Sequence, residues 1–98
     1  MKILIMSITL RSEWVHSLKE KRMVVKSIIQ KLKNKFNISV NEVSDQDIHQ
    51  SVVVGISAIC SSSAQADSTI ENILDFIEVN TDAELVGIQK EIIEFKFL

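Results

Sequence analysis

Asp45, Asp47 and His49 alternate within the segment Asp45-Gln46-Asp47-Ile48-His49, where oxygen and nitrogen ligands recur at short spacing. In an extended chain, alternate residues project to one side. The three side chains would then offer carboxylates and an imidazole to a manganese or zinc ion. A metal held that way would suit phosphodiester hydrolysis, which makes a metal-dependent phosphodiesterase one reading of the chain. The competing reading is a polar turn whose aspartates hydrogen-bond the local backbone.

Other reaction chemistry is missing. Gly55 and Gly87 are the only glycines, so the chain has no phosphate-cradling glycine loop, and no G-x-S-x-G nucleophile motif is present. His16 and His49 are the only histidines, so a zinc site would have to borrow carboxylates. Cys60 falls on the more apolar face of a strand, where a thiol packs as a small side chain. Being alone, it makes no internal disulfide, which fits a reducing, cytoplasmic setting. The residues point to no catalytic group and no cofactor.

A second kind of chemistry is electrostatic. Lys19, Lys21, Arg22, Lys26, Lys31, Lys33 and Lys35 crowd one helix-length segment against the single acid Glu20. From Phe36 onward, eleven acidic residues face only Lys90 and Lys96. The imbalance is about +6 in the first segment and about −9 in the second, although the whole chain is nearly neutral. At about 100° per residue, Lys19, Arg22, Lys26 and Lys33 fall in one stripe on a flank of the helix's apolar face. Such a stripe suits phosphate contacts, most naturally with RNA, while a solvated lysine-rich face is the plainer alternative. Trp14, just before the helix, is a candidate for stacking on a base or for capping the core. No RNP-type aromatic pair, G-x-x-G clamp or zinc knuckle is present to make a standard single-strand RNA reader.

The elements that must hold these residues follow from periodicity. Residues 2–10 alternate, with Leu4, Met6, Ile8 and Leu10 on the more apolar side, and read as a strand. That reading, with no cleavage site and a charged sequel, argues against a secretory signal. Ser17 and Glu20 have capping-box spacing and open a helix to about Lys35, with Asn37 suited to a left-handed exit. Residues 38–43 and 51–61 read as strands. Ser62 and Gln65 cap a second helix to about Asn80, and residues 85–97 alternate imperfectly as a final strand.

The order strand, helix, strand, strand, helix, strand is the ferredoxin-like plait, an α+β fold in a single domain over residues 1–98. Two right-handed crossovers would place both helices on one face of a four-stranded antiparallel sheet, with the basic stripe on an outer flank. The opposite sheet face would carry Ile3, Ile5, Val53 and Ile59 among serines and threonines. That composition suggests a homo-oligomer, a protein-interaction module covered by a second chain. No segment is long and apolar enough to span a membrane.

Two segments resemble a known family. His16-Ser17-Leu18-Lys19-Glu20-Lys21-Arg22 with Val24-Val25-Lys26-Ser27 resembles the first-helix motif of the YlxP family of small bacterial proteins. Lys35 to Val43 followed by Asp45-Gln46-Asp47 looks like its second motif. The likeness extends in spacing over most of residues 1–80. At position 49 the family commonly carries Trp where this chain has His49, which weakens a catalytic reading of the loop. The resemblance implies a ferredoxin-like domain with no established activity, cofactor or catalytic residue. It also implies gene neighbourhoods rich in translation initiation and ribosome maturation factors. The expectation is a non-catalytic accessory protein of the bacterial cytoplasm, associated with structured RNA or a ribosomal particle through its basic helix.

Overall fold

Alternation and capping place six elements along the chain, and the computed structural model, which describes residues 1–97, contains them in that order. They are β1 (Lys2–Arg11), α1 (Leu18–Lys35), β2 (Ser39–Ser44), β3 (Ser51–Cys60), α2 (Ser63–Asn80) and β4 (Glu84–Glu94). All the strand pairs are antiparallel in one sheet of order β2-β3-β1-β4, the ferredoxin-like arrangement.

The core forms because three apolar periodicities meet. Leu4, Met6, Ile8 and Leu10 of β1 point to the same side as Val52, Val54, Ile56, Ala58 and Cys60 of β3. Val25, Ile28 and Leu32 of α1 and Ala66, Ile70, Ile73 and Ile77 of α2 close over them. Full burial of each large aliphatic contributes roughly 1.5–3 kcal/mol against chain entropy. Cys60 is buried, as a packed thiol on this face should be. The β1–α1 loop adds Val15 to the buried set, and Trp14 beside it stays exposed.

Serine caps start both helices. Ser17 Oγ accepts a hydrogen bond from Glu20 N–H at 3.1 Å, and Ser62 Oγ accepts from Gln65 N–H at 3.1 Å. Gln65 Oε1 reaches back to Ser61, accepting from its N–H and its hydroxyl, so the reciprocal half of the second box lands one residue early.

Three local features depart from simple periodicity. The expected left-handed exit at Asn37 is not used: α1 ends on Phe36 in extended geometry, with its N–H donating to the Leu32 carbonyl at 2.9 Å. Phe36 then packs edge-on against Phe76 of α2 at a centroid distance of 5.5 Å, which fixes the exit path by packing. The β1–β4 register shifts between Thr9 and Leu10, which accounts for the imperfect alternation of the last strand. A second shift, between Glu42 and Ser44, lays Val43 against β3, where a Cβ on Gly55 would come within 2.8 Å of Val43 Cγ1.

The caps make a measurable prediction. Ser17→Ala and Ser62→Ala should each lower unfolding stability by about 1 kcal/mol in urea titration, with an unchanged slope.

Candidate nucleic-acid interface

The seven basic residues of the α1 segment do not share one environment. Lys21 lies on the helical face of Val25, Ile28 and Leu32 and is buried, with 2% of its surface accessible. Its Nζ donates to the Asp45 carbonyl and lies 3.2 Å from Glu42 Oε2 on β2. That carboxylate oxygen has no aligned hydrogen bond, so the Lys21–Glu42 contact is chiefly one of charge. Lys31 faces the other helix and donates to the Asn80 carbonyl at the end of α2, at 3.1 Å.

Lys31 thereby marks which flank of α1 meets α2. Lys26 sits about 140° around the helix from Lys31, and Lys19, Arg22 and Lys33 cluster with it. All four stripe residues are exposed. The ion pairs among the described residues involve Lys2, Arg11, Lys21 and the N-terminus, none of them in the stripe. From Lys19 to Lys33 the stripe runs roughly 21 Å along the helix. The carboxylates of α2, Asp67, Glu71, Asp75 and Glu78, are exposed and leave the stripe unneutralised.

Trp14 does not join this stripe. It lines a groove of about 510 Å³ with Met23, Val24, Lys31 and Val79, on the side of α1 that faces the end of α2. A base stacked there would lie across the helix from Lys26 and Lys33.

The Asp45–His49 segment also differs from its alternating reading. Asp45 adopts a left-handed backbone with φ of 56°, and its carbonyl accepts from Ile48 N–H at 3.0 Å, so the segment turns back on itself. The Asp45 carboxylate accepts from Ser51 Oγ at 2.6 Å and from Ser44 Oγ at 3.2 Å. Asp47 and His49 project into solvent. Among the described residues, no three His, Cys, Asp or Glu side chains gather in a way that could hold a metal ion. Asp45 is instead a turn organiser whose carbonyl is aimed at Lys21.

Helical arithmetic applied to every lysine, and not only to the outer ones, would have found Lys21. It stands four residues before Val25 and seven before Ile28, inside the apolar stripe.

Residues 3–90 match the family model described as "Protein of unknown function (DUF503)". The chain belongs to this family. It is 44% identical over 62 residues to "Uncharacterized protein YlxP" of Bacillus subtilis (strain 168), covering 63% of this chain and 67% of that protein. The resemblance of the two motifs to the YlxP family therefore holds.

Two solved structures are more distant. The de novo designed protein Foldit4 has a TM-score of 0.48 and 15% identity, covering 97% of this chain and 98% of that one. At3g17210 from Arabidopsis thaliana has a TM-score of 0.49 and 13% identity, covering 98% of this chain and 97% of that one. Among the described residues, no helix is long and apolar enough to cross a membrane.

The buried ammonium yields a stability prediction. Lys21→Met should cost about 2–4 kcal/mol, because Glu42 and the Asp45 carbonyl lose their counter-charge and donor. Lys21→Met with Glu42→Leu should cost less than Lys21→Met alone, since no unpaired carboxylate remains. Urea unfolding of the three proteins checks both statements.

Proposed function

We propose that this protein is a non-catalytic accessory factor that docks on structured RNA, free or within a ribosomal particle, through Lys19, Arg22, Lys26 and Lys33. The observation that carries the reading is the division of labour on α1. Lys21 and Lys31 are occupied by internal partners, while these four cations are exposed and outside every ion pair among the described residues.

A straight line of long cationic side chains on a rigid helix suits a line of phosphates, whose binding is driven by counterion release. The position of Trp14 on another flank favours backbone contact over base stacking. The acidic flank of α2 supports a defined orientation, because it repels the same polyanion. Double-stranded or folded RNA, read by shape and phosphate position, fits these features better than an unstructured strand.

Binding to a folded RNA across a salt series should show a log–log slope of roughly −3.6, as four phosphate contacts on a duplex would give. Each single change of Lys19, Arg22, Lys26 or Lys33 to Gln should reduce that slope by about one. Charge reversal at Lys26 and Lys33 together should abolish co-sedimentation with ribosomal particles. Binding absent at low salt, or indifferent to these changes, would contradict the proposal.

A further inference from the structure

The sheet has two faces, and the helices cover one. The other is formed by the alternate residues of the four strands, and its charged members are Arg11, Glu84 directly opposite it, and Glu91. Between them lie small neutral groups, including Ser7, Thr9, Gly55 and Ser57.

At one end the face is apolar across three strands. Strand register puts Ile59, Ile3 and Ile93 side by side, with Ile5 one step along β1. The ladder continues through Phe95 N–H donating to the Met1 carbonyl at 2.9 Å, and alternation places both side chains on this face. Ile59 is 72% exposed, Phe95 50% and Ile5 44%. Val43, laid flat over Gly55 by the β2 bulge, adds a further exposed aliphatic group.

We propose that a second copy of this chain covers the open face, so that two sheets pack face to face with the helices outward. Three considerations favour a second copy. First, the face measures roughly 600 Å² in plane, from strand spacing and rise. Burying it on both copies therefore removes about 1,200 Å² or more, the lower limit of a stable specific interface. Second, its charges largely cancel, with Arg11 opposite Glu84 and only Glu91 left over, so the face meets its own copy with little net repulsion, whereas α1 and α2 are strongly signed. Third, two sheets of the same twist pack aligned at about 30°, interleaving alternate aliphatic side chains into a shared core.

This inference is independent of the RNA reading. The α1 stripe lies on the helical layer, so the dimer leaves both copies of it uncovered.

Sedimentation equilibrium of the full chain from micromolar to near-millimolar concentration tests the proposal. A particle of twice 11.1 kDa is expected. Ile59→Glu and Ile5→Lys should each raise the dimer dissociation constant about tenfold or more, with unchanged circular dichroism, because both side chains are exposed in the single chain. Val79→Glu, on α2 and away from the face, should leave the mass unaltered. A wild-type chain that stays monomeric throughout gives the face to some other occupant or to none, and overturns the proposal. So does a dimer that withstands both face substitutions.

Discussion

One buried ammonium sets the relation between the first helix and the sheet edge. Lys21 occupies a core position of α1, and its charge is met by Glu42 on β2 and by the Asp45 carbonyl in the turn that follows. Burying a lysine costs several kcal/mol unless its charge and its donors are answered. The three positions are therefore mutually constraining. Asp45 adopts a left-handed backbone, its carboxylate ties down Ser44 and Ser51, and its carbonyl is left facing the helix. The polar loop between β2 and β3 is in this way a clamp on α1.

That clamp gives the helix a fixed rotation, and the rotation sorts its charges. With Lys21 turned to the sheet and Lys31 turned to α2, the remaining stripe can only face outward. The apolar stripe of Val25, Ile28 and Leu32 holds the same rotation from within the core. Here the outer cations are held on a rigid line, the arrangement in which charges reinforce one another toward an extended polyanion. The opposing acidic face on α2 makes the molecule electrically two-sided despite its small net charge.

Much of the fold was legible in the residues. Both serine caps, both apolar helix stripes and the alternating cores of β1 and β3 are local signals, and the first five elements formed within a residue or so of their expected limits. The last strand, expected over residues 85–97, ends at Glu94. The βαββαβ order then leaves few topologies open. Features set by tertiary partners were not legible. Asn37 has the local chemistry for a left-handed turn, but contact between Phe36 and Phe76 decides how the helix ends. Asp45, Asp47 and His49 alternate in sequence, but alternation projects side chains together only in an extended chain, and Asp45 turns the segment. Trp14 adjoins the basic helix in sequence, yet the loop directs it toward Met23 and Val79. Lys21 was half legible: the period marks it as buried, and only the fold supplies Glu42.

On the proposed reading, the chain is an electrically two-sided module that meets folded RNA through the outer flank of α1. The most direct measurement is backbone amide and lysine side-chain NMR during titration with a folded RNA. The account predicts shift changes confined to the outer flank of α1, centred on Lys19, Arg22, Lys26 and Lys33, with Lys21 and the α2 carboxylates unmoved. Changes centred on α2, on the open sheet face or on the Trp14 groove, or no changes at low salt, would contradict it.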